Sequence, residues 1–164
     1  MNELQLTRSR EDRRLYEIAG VGSLRFAGLL SRRATAESST GGGWTFGRRG
    51  IMQATMEARD AAGTVVGSFA PRTLRRGGTM RWGGRELDLQ PASSWTERYA
   101  LTDAGRELAV LDAQAWGKRP VRITLEDPAL VDPGLLLFAA FAARQLADDA
   151  SGTAGAAAAV TASG

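Results

Sequence analysis

Arg72, Arg75, Arg76, Arg81 and Arg85 fall within one short stretch, RTLRRGGTMRWGGR, that holds no acidic residue. A guanidinium offers forked N–H donors that match phosphate oxygens in pairs. Trp82, in the same stretch, adds a ring able to stack or to insert at headgroup level. The chemistry on offer is anion recognition, of an anionic phospholipid surface or a phosphate-bearing ligand, with binding that falls as salt rises. The competing reading is a solvated strand face, neutralised across the fold by the acids of residues 86–149, where eleven acids face six bases.

Few other groups can do chemistry. The chain has no cysteine and no histidine, which removes disulfides, thiolate nucleophiles, Cys/His zinc sites and every Ser-His or Cys-His pair. Carboxylates are the main acid/base groups left, and three pairs are adjacent: Glu11-Asp12, Glu126-Asp127 and Asp148-Asp149. Neighbours on a strand point to opposite faces, so adjacency argues against a shared catalytic dyad. The pairs also lack the spacing of a calcium loop. Gly41-Gly42-Gly43 and Gly47-Arg48-Arg49-Gly50 are not followed by a helix start, so they read as hairpin turns rather than a phosphate cradle. Trp44 and Phe46, between them, share one face at period two and read as core packing. A non-enzymatic protein without cofactor or metal is expected.

Those residues need a scaffold. At 164 residues, 43% hydrophobic and 24% charged, the chain suits one soluble globular domain. Alternating apolar and polar residues mark strands near 15–18, 23–27, 52–56, 65–69, 86–89, 98–101, 108–111 and 121–125. Gly-containing turns separate them at 19–22, 60–63, 76–78, 83–84 and 103–105, the pattern of an antiparallel meander. A weak internal repeat relates 56–69 (MEARDAAGTVVGSF) to 99–112 (YALTDAGRELAVLD), with a more degenerate copy at 15–26. Each unit is strand, turn, strand.

One segment breaks this rhythm. Asp132-Pro133 is a helix start, with Asp as N-cap and Pro at the first helical position. From Gly134 to Ala147 no breaker follows, and Leu135, Leu136, Leu137, Phe138 and Phe141 with their alanines cover every face. A helix apolar all round must be enclosed on all sides. The only surround available here is the sheet, closed into an antiparallel β-barrel around a helix at about residues 133–147. Residues 150–164 are Ala, Gly, Ser, Thr and one Val, which predicts a disordered tail.

The apolar run 134–143 is about half the length needed to span a bilayer, so no transmembrane span is expected. Residues 1–14 lack the apolar stretch of a signal peptide, which leaves a cytoplasmic protein as the expectation.

The hairpins with Asp-x-(x)-Gly turns, and the ending of strand, Trp116 loop, strand, Asp132-Pro133 and apolar helix, resemble the tubby C-terminal-like superfamily. The likeness is to bacterial relatives of the LURP-one-related proteins, over about residues 4–149. It implies a barrel of twelve strands threaded by its C-terminal helix. That family includes phosphoinositide-binding tubby proteins, phospholipid scramblases and plant defence proteins. No position matches a phosphoinositide motif of the family, so none is carried over. Three functions stand: recognition of an anionic phospholipid or phosphate-bearing ligand through Arg72, Arg75, Arg76, Arg81, Arg85 and Trp82; as the alternative, a protein-interaction or structural module without lipid or nucleic-acid ligand; and, kept only because barrels often hold ligands, a hydrolase using carboxylates in a barrel mouth.

Overall fold

The computed structural model describes residues 2–28, 32–49, 55–72, 76–93, 96–113 and 120–162, with side chains as far as residue 150. Twelve antiparallel strands follow one another as β1 (Asn2–Arg8), β2 (Leu15–Ile18), β3 (Gly22–Phe26), β4 (Arg33–Ser38), β5 (Gly43–Arg49), β6 (Thr55–Asp60), β7 (Val65–Pro71), β8 (Gly78–Trp82), β9 (Arg85–Pro91), β10 (Arg98–Asp103), β11 (Arg106–Asp112) and β12 (Val121–Leu125). Each pairs with the next, and β1 pairs with both β2 and β12, so the sheet closes into a barrel. A single helix, α1 (Pro133–Ala162), follows β12 and runs through the barrel.

The expected enclosure is present. Leu135 to Ala143 are each at most 1% exposed, which no amphipathic surface helix achieves. Inward positions of the strands meet them: Leu24 and Phe26, Ala34 and Ala36, Met56 and Ala58, Leu87 and Leu89, Val121 and Ile123. Their outward neighbours are polar or charged, which is the period-two signature of a sheet with one wet face. Phe138 and Phe141 anchor the helix against Phe46, with ring centroids 5.1 and 5.6 Å away. The alanines of the helix and of β4 and β6 let the walls approach closely, as a narrow lumen requires.

Asp132 sets where the helix begins. Its Oδ1 accepts the backbone N–H of Leu135 at 3.0 Å, the capping bond expected from the sequence. Its Oδ2 accepts Trp82 Nε1–H at 3.1 Å, so one side chain fixes both the helix start and a barrel wall. Past residue 147 the helix continues to Ala162, where composition alone predicts a disordered tail. The reason is propagation. Once a helix is nucleated inside the barrel, each added residue gains a hydrogen bond at little cost, and alanine is the best helix former.

The two barrel ends differ. Where β2–β3, β4–β5, β6–β7, β8–β9 and β10–β11 are joined, the connections are tight; Gly83 and Gly84, at φ 55° and 81°, form a two-residue turn of the primed type. At the other end the connections 9–14, 27–32, 50–54, 72–77, 92–97 and 113–120 are longer. The helix enters at the tight end and leaves at the long-loop end. The internal repeat has a structural counterpart: β6–β7 and β10–β11 each shift register, between Ala58 and Arg59 and between Leu101 and Thr102, at equivalent places. These bulges tighten the local bend of the wall.

Gly134, in the first helical turn, lies under two indole rings. A Cβ there would come 2.5 Å from Trp82 Cζ2 and 2.7 Å from Trp44 Cζ2. Gly134→Ala should therefore destabilise the protein by about 1–3 kcal/mol through overpacking, although alanine is worth about 1 kcal/mol more than glycine in a helix interior. Urea unfolding at equilibrium measures the difference.

Candidate functional site

The arginine stretch does not form one patch. It begins just after β7, takes in the whole of β8 and ends at the first residue of β9, so it travels from the long-loop end to the tight end of the barrel. Arg72 pairs with Asp88 at 2.7 Å, Arg76 with Glu97 at 2.5 Å and Arg81 with its cross-strand neighbour Glu86 at 3.4 Å. Arg85 donates to Asp103 at 2.9 Å and to the Leu130 carbonyl at 2.7 Å, tying β9 to the segment before the helix. Each of these four meets a carboxylate from residues 86–149, so the charge imbalance along the sequence is cancelled across neighbouring strands. Arg75 lies outside the described residues, as do Trp95, Trp116 and Lys118. Trp82 does not share the outward face with the arginines. It points into the barrel, 7% exposed, with Phe138 at 5.7 Å and Trp44 at 6.0 Å. Position on β8 decides this, because Gly78, Met80 and Trp82 share the inward face and Arg81 the outward one.

At the helix exit, polar groups tie the helix to the rim. Arg48 makes a two-pronged bond to Asp149 at 2.9 and 2.6 Å, and Arg144 reaches Asp148 at 3.0 Å and the Tyr16 hydroxyl at 3.2 Å. The Arg144 guanidinium also sits over the Phe26 ring, 5.1 Å from its centre. Tyr99, fully buried, donates its hydroxyl to Glu97 at 2.6 Å, and Glu97 also takes Arg76. The adjacent carboxylates are divided among different partners: Asp148 and Asp149 as above, Asp127 to Arg106 and the backbone of Ala129, and Asp12 to Arg25 and Arg14. No pair converges on a shared space.

A different cluster does converge. On the outer wall, register places Arg33 of β4 opposite Gly47 of β5, and Gly47 opposite Glu57 of β6; Thr45 faces Arg59. Together with Arg49 they line a depression of about 280 Å³. Glu57 Oε2 accepts from Arg49 Nε at 3.2 Å and from Arg59 at 3.0 Å, which holds two guanidiniums at one edge of the hollow. Four arginines, Arg33, Arg48, Arg49 and Arg59, and one carboxylate, Glu57, are among the residues that line it. The floor is Gly47, which sits in mid-strand rather than in the turn expected from its sequence. A Cβ there would meet nothing within 4 Å, so packing does not demand glycine, and its φ lies outside the left-handed region. Glycine inside a strand costs about 0.5–1 kcal/mol and marks places where another group comes close to the backbone.

Sequence reasoning missed this cluster because its members are scattered over 27 positions, from 33 to 59. The signal was present as alternation, in Thr45-x-Gly47-x-Arg49 and Glu57-x-Arg59, but only cross-strand register brings the three strands together.

Among the described residues no group of acidic side chains could hold a metal ion, and no helix is long and apolar enough to cross a membrane. Burial, followed by the hydrogen bond to Glu97, raises the Tyr99 pKa far above its ordinary value of 10.0. Unfolded Tyr99 ionises above that pH while the folded hydroxyl keeps its proton. Its contribution to stability is therefore complete below about pH 10 and is lost as pH rises further. Tyr99→Phe should cost about 1–2 kcal/mol at pH 7 and show a smaller loss of stability between pH 8 and pH 11 than the parent, read from urea midpoints at each pH.

No protein-family model, no curated protein and no solved structure matches this chain.

Proposed function

We propose that the protein is a binding module without catalytic chemistry, and that it recognises a phosphate-bearing anion at the depression over Gly47. The observation that carries this reading is the convergence of Arg33, Arg49 and Arg59 on an open glycine floor, where Glu57 holds the Arg49 and Arg59 guanidiniums side by side. Glu57 steers two of the forks toward a common point, and the half-buried Gly47, with no side chain, leaves room for the oxygens of a phosphate. Exposed guanidiniums each add only about 0.2–1 kcal/mol to a pairing, so the affinity is modest and salt-sensitive. The reading moves anion recognition away from Arg72, Arg76, Arg81 and Arg85, which point to four separate carboxylates, whereas Arg49 and Arg59 share one, and away from the buried Trp82.

The architecture supports a kinship with the tubby C-terminal-like superfamily, since a closed barrel of twelve strands threaded by a C-terminal helix is what the sequence resemblance implies. A filled lumen supports binding on the outer wall rather than turnover in an internal cavity.

Titration with inorganic pyrophosphate, and sedimentation with phosphatidylcholine vesicles with and without phosphatidylserine, test the reading at low and at physiological salt. Arg49→Gln with Arg59→Gln should weaken binding by about tenfold or more, while Arg81→Gln leaves it unchanged. Gly47→Val should do the same by filling the hollow, with stability kept or raised because valine suits a strand. Binding to pyrophosphate alone indicates a soluble ligand; binding to phosphatidylserine vesicles alone indicates a headgroup. No binding to either probe would overturn the reading and favour a protein-interaction module.

A further inference from the structure

The barrel closes unevenly beside β1. That strand pairs with β12 over Asn2 to Leu6, but with β2 only over Leu6 to Arg8. The cause is the length of β2, which has four residues and then turns back into β3 through residues 19–21. Along Asn2–Gln5 the side of β1 that should face β2 therefore meets no strand among the described residues, and no backbone hydrogen bond between described residues fills the gap. Alternate residues of an antiparallel strand direct their N–H and C=O to the same side. This stretch thus presents unpaired donors and acceptors along four residues, about 14 Å at strand spacing.

The edge opens onto a groove of about 670 Å³, within the range of roughly 300–1,000 Å³ typical of ligand sites. Its floor includes Leu4 and Ile18, and its walls carry Glu3, Glu17 and Glu37 with no basic residue. Glu3 is paired with Arg122 at 3.3 Å. Glu17 and Glu37 have no ion pair among the described residues, and both point outward from their strands.

We propose that this edge accepts an extended, basic segment of another polypeptide as an added strand. Main-chain bonds to Asn2–Gln5 would supply the docking geometry, as in other strand-addition complexes. Arg or Lys at alternate positions would meet Glu17 and Glu37, and small apolar residues between them would face Leu4 and Ile18. The charge of the groove selects among occupants. A second copy of this chain, paired through its own β1, would set Glu3, Glu17 and Glu37 against like charges, which disfavours edge-to-edge association. A basic strand meets complementary potential instead. The inference does not depend on the depression over Gly47, which lies on another part of the wall.

The test uses the full chain and a synthetic peptide alternating Arg and Val, with a Glu and Val peptide as its charge-reversed control. Fluorescence anisotropy reads binding, and amide hydrogen exchange reads the edge. The Arg peptide should bind, the Glu peptide should not, and exchange should slow at alternate amides within residues 2–5. Glu17→Arg with Glu37→Arg, both at exposed positions, should weaken binding by about tenfold or more with an unchanged melting temperature. N-methylation of the peptide on its edge-facing amides should also abolish binding. Three results would overturn the proposal: no binding of the Arg peptide, binding without slowed exchange in residues 2–5, or equal binding by the Glu17→Arg, Glu37→Arg variant.

Discussion

A helix with no polar face has nowhere to rest in water, and that constraint organises this molecule. Residues 135–143 expose almost nothing because the sheet wraps them completely. Closure of the sheet, inward alternation on most strands and the many alanines lining the lumen all serve one burial. Asp132 links the two components, since it caps the helix and holds the indole of Trp82 in the wall. At the opposite end Arg48, Arg144 and their carboxylates fasten the helix as it leaves.

Filling the lumen has a functional consequence. Barrels that bind small molecules do so in an interior their side chains leave open, and here the helix occupies that space. The two binding sites proposed above therefore lie on the outer wall. One is a hollow lined by Arg33, Arg49 and Arg59 over a bare glycine. The other is an acidic groove beside an unpaired strand edge. They have opposite charge and lie on neighbouring strands, so β4 contributes Arg33 to the first and Glu37 to the second.

Local signals made the scaffold legible. Asp-Pro followed by an unbroken apolar run marks both the start of a helix and its need for enclosure, and the Gly turns delimit most of the strands. The sites were less legible, for a physical reason. Whether two charges meet depends on register between strands far apart in sequence, and a shift of one residue sends a side chain to the other face. Arg72 to Arg85 look like a patch because they are consecutive, yet a strand and its turns draw them along the barrel toward separate carboxylates. Trp82 lies among five arginines in the sequence, but its parity on β8 turns it inward. Arg33, Arg49 and Arg59 look unrelated until pairing aligns them. The open edge of β1 follows from one short strand, β2, whose early turn has no consequence until the neighbouring strand is known. The helical residues beyond 150 carry no burial signal, and they follow from the nucleated helix behind them.

The central claim, that the barrel is built on its buried helix and offers no lumen, is tested most directly by native-state hydrogen exchange of the amides of residues 137–143. If the helix is the common core, these amides exchange only through global unfolding, with the same free energy as the strongest strand amides and the same dependence on denaturant. Faster exchange there through local opening, while the strands stay protected, would contradict the account and show a barrel that can release its helix and open an interior site.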